Sequence, residues 1–147
     1  MRTALGTIGL FAVLAIGTGA HAQSGLPHRY TVPGAVNSDN GIGTYVSCTN
    51  GSDVAVTVTV EAYDATGAFM PGAVAPFNLP PFATIVFGTK TSVSSMQDFN
   101  MALPAFKGHL RIVGGGSKTL CSAFVADASS PQPAVMRSLP VLKKFKP

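Results

Sequence analysis

A chain of 147 residues is long enough for one ordinary domain with its own core. Its formal net charge of +4 and its 11% charged residues are too small a basic excess for a nucleic-acid-binding protein, so we predict no nucleic-acid partner. The only basic cluster, Lys143-Lys144-Phe145-Lys146, is typical of a solvated tail, because no basic face with stacking aromatic residues accompanies it.

Residues 1–22 have the features of a signal peptide. Arg2 gives a positive start, residues 8–16 form a short apolar core, and Ala20-His21-Ala22 places small residues where signal peptidase cleaves. The apolar core is too short to span about 30 Å of hydrocarbon. We therefore expect cleavage, with a retained anchor as the alternative, and no integral membrane segment afterwards. The mature chain, residues 23–147, is predicted to be one domain in the periplasm or outside the cell.

Two strands are predicted in the first part of this domain. Residues 28–32 form a short edge strand that ends at Pro33-Gly34. Turn-forming residues at 37–41 follow, and the alternation in 42–48 places Ile42, Val46 and Cys48 on one inward face. The pair Asn50-Gly51 then predicts a type I′ hairpin that joins this strand to the next.

Residues 54–63 predict the strand around which the domain is organised. Even positions are apolar and most odd positions are polar, and this period of two indicates a strand with one buried face. Glu61 is predicted to lie on the opposite, solvated face. Because such a strand is unstable alone, other strands must pair with it and a second layer must cover its apolar face. That face is predicted to carry Val54, Val56, Val58 and Val60.

Further strands are predicted in the second half of the chain. Four prolines within residues 69–81 disfavour a central strand there, because proline lacks the amide donor. Residues 83–89 resume the alternation of a strand, whereas residues 92–102 have the spacing of a short helical turn. Residues 107–113 and 119–126 predict a hairpin across the glycine loop 114–117, and residues 139–145 predict a last edge strand.

About seven short strands without a long helix predict an all-β fold, namely an antiparallel two-sheet β-sandwich of the immunoglobulin-like type. Only the architecture is predicted, since the chain has no tryptophan and no tyrosine two residues before Cys121. Exported chains with two cysteines usually join them, so we predict a buried disulfide between Cys48 and Cys121. Cys121 shares its strand face with Ala123 and Val125, while Leu120 faces the other way.

The chain resembles a group of small exported bacterial β-sandwich proteins of unknown function. The resemblance rests on spacing and on three segments: Gly43-Thr-Tyr-Val-Ser-Cys-Thr-Asn50, Leu120-Cys-Ser-Ala-Phe-Val-Ala-Asp127 and Ser138-Leu-Pro-Val-Leu-Lys-Lys144. It covers most of the mature chain, and its motifs are structural. It implies secretion and a sandwich fold, and it carries no catalytic residue onto any position.

No pattern in the sequence predicts catalysis. His28 and His109 are the only histidines after residue 22, and most of the six acidic residues fall in turns. The sequence has no Gly-x-Ser-x-Gly elbow and no His-Glu-x-x-His motif. We predict no catalytic residue, no cofactor and a protein that is not an enzyme, with an unidentified enzyme as one alternative.

A periplasmic copper carrier is the other alternative, because histidine and methionine are soft ligands for copper. The candidate ligands are His28, His109, Met96 and Met101, although methionine more often fills a core. The low charge, the proline-rich segment 69–81 and the missing catalytic pattern favour a different hypothesis. It is an exported, non-enzymatic binding or structural module of the bacterial cell envelope that contacts a protein or polymer partner through loops or sheet edges.

Overall fold

The computed structural model describes residues 26–71, 76–94, 96–132 and 136–144, so the predicted signal peptide lies outside the described residues. These described residues form eleven strands and no helix, which confirms the all-β prediction. The strands are β1 (His28–Asn37), β2 (Ile42–Asn50), β3 (Val56–Asp64), β4 (Phe69–Met70), β5 (Phe77–Leu79), β6 (Thr84–Gly88), β7 (Phe99–Asn100), β8 (Phe106–Gly114), β9 (Thr119–Asp127), β10 (Met136–Leu139) and β11 (Leu142–Lys143). The number exceeds the predicted seven because short segments beside prolines and turns pair as strands of two to four residues. A membrane-crossing helix is not found within the described ranges.

The strands form one hydrogen-bonded sheet with the path β10-β9-β2-β1-β8-β3-β4. Off this path, β11 pairs with β1, β5 with β3, and β6 with both β2 and β7. All pairs are antiparallel except β6 with β7. The two longest runs of strands are β1-β8-β3 and β9-β2-β6. They are joined where β1 pairs with β2, and this pairing consists of one residue pair, Asn37 with Gly43. The hydrogen bonds therefore show one continuous sheet that is antiparallel except for the β6–β7 pair.

The predicted hairpin of β2 with β3 is wrong. β2 pairs with β6 and β9, and β3 pairs with β8, β5 and β4. The reason lies in Asn50, which does not occupy a tight two-residue turn. Its side chain is buried and donates to the carbonyl groups of Val54, Leu79 and Pro80.

The predicted hairpin of β8 with β9 is also wrong, since β8 pairs with β1 and β3 while β9 pairs with β2 and β10. Gly114 and Gly115, with φ of 79° and 70°, turn the chain away from β8. Their amides donate to the carbonyl groups of Pro27 and Thr57 at 2.9 Å and 2.6 Å. These bonds hold the connection against β1 and β3, so the two strands do not meet as a hairpin.

Three other predicted boundaries change. β1 continues through Pro33-Gly34, where a register shift between Pro33 and Ala35 accommodates the residue that has no amide donor. It pairs with β8 on one side and with β11 and β2 on the other, so it is not an edge strand. Residues 92–94 and 96–102 contain no helical turn and instead include β7. The predicted last strand is split at Pro140 into β10 and β11.

The main core contains the face of β3 that the alternation predicts. Val58, Val60 and Ala62 are buried there, which confirms the predicted face for these residues. Val54 lies ahead of the strand and is exposed, so its assignment to the buried face is wrong. The same cluster collects residues from both runs of strands, among them Val32, Val60, Leu110, Val46, Ile85 and Ala123.

The predicted disulfide between Cys48 and Cys121 is present, with 73 residues of sequence separation. The two cysteines are direct partners in β2 and β9, with Cα atoms 4.2 Å apart, so the bridge links neighbouring strands. Cys48 is fully buried, and Cys121 is half-buried against the main core. Leu120 on the opposite face of β9 is 69% exposed, which confirms the predicted orientation of this strand.

Candidate functional site

The two histidines predicted as candidate ligands lie on neighbouring strands and make different contacts. His28 begins β1, and its Nε2 lies 3.0 Å from both the Tyr30 carbonyl oxygen and Thr31 Oγ1. His109 in β8 stacks on the ring of Tyr63, with the ring centroids 5.0 Å apart. Each histidine therefore contacts residues that are not candidate metal ligands.

The two methionines predicted as candidate ligands lie in separate apolar clusters. Met101 is buried in the main core, whereas Met96 packs against a second cluster that consists of Tyr45, Ala126 and Ala128. Within the described ranges, no group of three or more histidine, cysteine, aspartate or glutamate side chains is arranged to hold a metal ion. The structure does not bring the predicted soft ligands together.

A polar cluster of Glu61, Tyr63, His109 and Arg111 occupies the face of β3 and β8 opposite the core. Glu61 faces Arg111 across the strand pair, and Tyr63 faces His109. The Tyr63 hydroxyl donates to Glu61 Oε2 at 3.0 Å and accepts from Arg111 Nη1 at 3.0 Å. Arg111 Nη1 also lies 3.9 Å from Glu61 Oε2, and its guanidinium lies 5.3 Å from the Tyr63 ring centroid. The cluster binds its own members together, which favours a structural role.

Glu61 was predicted to be solvated, and this is wrong, because it is 0% exposed. The alternation of β3 correctly places Glu61 on the face opposite Val60. The alternation does not show whether other residues cover that face. A buried carboxylate requires a charged or hydrogen-bonding partner, and Arg111 and Tyr63 supply both.

The pKa values of His28 and His109 give a testable pH dependence. Burial, followed by the nearby Arg111 cation, lowers the pKa of both side chains below the usual 6.5. The unfolded chain therefore binds more protons, so this contribution to stability is present above pH 6.5 and is lost as the pH falls below it. We expect a lower urea midpoint at pH 5 than at pH 7.5, and a smaller difference in His109→Gln.

The range from pH 5 to pH 7.5 avoids the titration of two acidic residues, Asp64 and Asp127. Hydrogen bonds from the Thr66 hydroxyl to Asp64, and from the Ser129 hydroxyl to Asp127, hold the pKa of each carboxyl below its usual 3.8. These groups titrate in more acidic solution, and the histidine contribution is measured without them. An identical pH dependence in the wild type and in His109→Gln would contradict the assignment to His109.

Asn50 connects two segments at the end of β2. This residue is fully buried, and its Nδ2 lies 2.8 Å, 3.2 Å and 3.0 Å from the carbonyl oxygens of Val54, Leu79 and Pro80. Its backbone amide donates to the Ala83 carbonyl at 2.9 Å. The loop 51–55 and the segment 79–83 are therefore fixed next to each other by one amide side chain.

Phe82 lies in the turn that this asparagine holds. The Ala83 amide donates to the Pro80 carbonyl at 3.3 Å, which places Pro81 and Phe82 at the two central positions of the turn. Phe82 has φ of 59°, a conformation that glycine or asparagine usually adopts at this position of a type II turn. Its side chain is 70% exposed, and that of Val54 is 61% exposed.

We call the surface formed by Val54, Pro80, Pro81 and Phe82 the apolar end. All four residues are exposed, and two of them carry large apolar side chains. The sequence analysis missed this surface, because Val54 continues the apolar pattern of β3 and Phe82 falls between two predicted segments. The pair Pro80-Pro81 is the sequence signal for this surface. Proline is favoured at the first central position of a turn, so Pro81 indicates a turn with Phe82 at the second central position.

Comparison with protein-family models, with curated proteins and with solved structures found no match. The chain is therefore characterised by its fold and surface: an all-β domain with one disulfide and an exposed apolar end.

Proposed function

We propose that this protein is an exported, non-enzymatic binding module of the bacterial cell envelope, acting in the periplasm or outside the cell, that contacts a partner protein or polymer through the apolar end. The observation that carries the proposal is Phe82, an aromatic side chain held exposed at a turn position of positive φ. The signal-peptide features of residues 1–22 and the disulfide support export, because disulfides persist in oxidising compartments.

The physical argument is that the apolar end is unfavourable for the isolated domain. A non-glycine residue in the left-handed region costs about 1–2 kcal/mol. Leaving a large aromatic side chain in water forgoes a further stabilisation of about 1.5–3 kcal/mol. Glycine at position 82 would remove the conformational cost, whereas the phenylalanine gains burial free energy only when another molecule covers its side chain. Exposed aromatic residues in a fixed position are effective anchors, since little conformational freedom is lost on binding.

The proposal includes the two-sheet, immunoglobulin-like arrangement of the strands. The two runs β1-β8-β3 and β9-β2-β6 contribute side chains to one common core, which supports packing of the runs face to face. In that arrangement the loops at the end of β2 project from one end of the domain, where a partner has free access.

Site-specific photo-crosslinking tests the contact. A photoreactive residue at position 54, in the protein exported by a bacterial host, is expected to give adducts of defined mass with a partner. Phe82→Gly should leave the urea midpoint unchanged or raised, because strain is removed, yet lower the adduct yield at least about tenfold.

A photoreactive residue at Ala65, which is exposed in the turn after β3, is the matched control and should give no such adduct. Equal adduct yields from positions 54 and 65, or an unchanged yield in Phe82→Gly, would contradict the proposed binding surface.

A further inference from the structure

A cleft of about 550 Å³ lies at the other end of β2, between the β1–β2 turn and residues 105–107. β2 begins at Ile42 beside this cleft and ends at Asn50 beside the apolar end, so about 25 Å of strand separate the two surfaces. The cleft is lined by the apolar side chains of Val36, Ile42 and Phe106, and its volume lies in the range of small-ligand sites.

Two opposite charges lie on different parts of the lining. Asp39 belongs to the β1–β2 turn, and Lys107 belongs to β8, where it is the direct partner of Val36 in β1. Both side chains are exposed. The ion pair found within the described residues joins Arg111 to Glu61, so Asp39 and Lys107 do not form one with each other. Each charge is available to a ligand group of opposite sign.

Two polar side chains beside these charges have an atom without a hydrogen-bond partner. Asn37 lines the cleft and is 6% exposed, and its Nδ2 donates to the carbonyl oxygens of Leu103 and Pro104 at 2.6 Å and 3.0 Å. These contacts orient the amide, and they leave Asn37 Oδ1 without a donor. Ser38 Oγ, on the next cleft residue, is likewise buried and unpartnered.

Buried polar groups in native proteins are normally satisfied, so two adjacent exceptions beside a cleft require an explanation. Asn37 and Ser38 both line the cleft and are followed in the chain by Asp39 and Asn40, which are exposed. A ligand N–H that reached Asn37 Oδ1 would give this acceptor the donor that it lacks.

We propose that this cleft binds a short apolar peptide that carries both free termini. The peptide ammonium pairs with Asp39, its carboxylate pairs with Lys107, and its apolar side chains cover Val36, Ile42 and Phe106. A peptide N–H donates to Asn37 Oδ1. The two terminal charges of a dipeptide match the two unpaired charges of the lining, and the volume is sufficient for two residues. This site is independent of the apolar end and of the function proposed for it.

Titration of the mature protein with L-leucyl-L-leucine, followed by backbone amide chemical shifts, tests the proposal. We expect saturable shifts confined to residues 36–42 and 105–107. Asp39→Asn and Lys107→Met should each weaken binding at least about fivefold, because each removes one charged pair. N-acetyl-L-leucyl-L-leucine amide, which retains both leucine side chains without terminal charges, should bind at least about tenfold more weakly.

Asp53→Asn is the matched control, since it removes an exposed acidic residue near the opposite end of β2 and should leave peptide affinity unchanged. Absence of saturable shifts up to about 10 mM peptide would overturn the proposal, because two charged pairs and an apolar contact should give tighter binding than this. Equal binding of the uncharged analogue, or equal loss of affinity in Asp53→Asn, would also overturn it.

Discussion

Val58→Asp is expected to prevent folding of the domain. Val58 is fully buried in β3, between Phe77 of β5 and Gly114 of β8, and belongs to the main core. An aspartate there would place a carboxylate in an apolar environment at a cost of several kcal/mol. The whole stability of a small domain is about 5–15 kcal/mol, so the variant has little or no folded population under ordinary conditions.

Thr57→Asp is the control for this experiment, because Thr57 is the adjacent residue of the same strand and is exposed. It introduces the same charge one position away and should fold with a urea midpoint close to that of the wild type. Circular dichroism and resistance to a non-specific protease measure both variants. A soluble, protease-resistant Val58→Asp protein would mean that the inward face of β3 is wrongly assigned.

The face of β3 could be predicted from the sequence because the side chains of a strand alternate strictly between its two sides. The same rule gave the orientation of β9, where Cys121 turns towards the core and Leu120 towards solvent. Alternation does not report where a strand begins or what covers its second face. Val54 and Glu61 were for this reason assigned to the wrong environments.

Strand partners were harder to predict than strand faces. Turn chemistry at Asn50-Gly51 and in the glycine loop 114–117 is a local signal, and it favoured pairing of consecutive strands. Pairing is decided by competition among all strands, and here β2 and β9, more than 60 residues apart in sequence, are partners along nine residues. The disulfide was predictable without this knowledge, because the chain offers only two cysteines.

The proposed binding surfaces depend on tertiary contacts that no local pattern contains. The Asn50 amide meets the Val54 carbonyl four residues away but also the Leu79 and Pro80 carbonyls about 30 residues away. The cleft at the other end depends in the same way on Asn37 and Lys107, which lie on neighbouring strands far apart in sequence. Sequence analysis identified the residue types and could not place them together.

Asn50→Asp is expected to lower the free energy of unfolding by about 3 kcal/mol or more, with a fall in Tm of about 10 °C. The Ser52 amide and hydroxyl donate to Asn50 Oδ1 at 3.0 Å and 2.6 Å, so they hold one side-chain oxygen in place after the substitution. The second carboxylate oxygen then replaces Nδ2 and faces three carbonyl oxygens. The three carbonyl groups lose the donor that Nδ2 supplies, a negatively charged oxygen faces them instead, and a charge is buried.

Asn78→Asp is the matched control, because Asn78 is an exposed asparagine of β5 in the same region, and the same chemical change there should leave the Tm close to the wild-type value. Thermal unfolding followed by circular dichroism gives both values. The segments that Asn50 joins are those that present Val54 and Phe82, so amide hydrogen exchange should increase first in residues 51–55 and 79–83. Equal Tm values for the two variants, or unchanged exchange in these segments, would mean that Asn50 does not hold the apolar end in place.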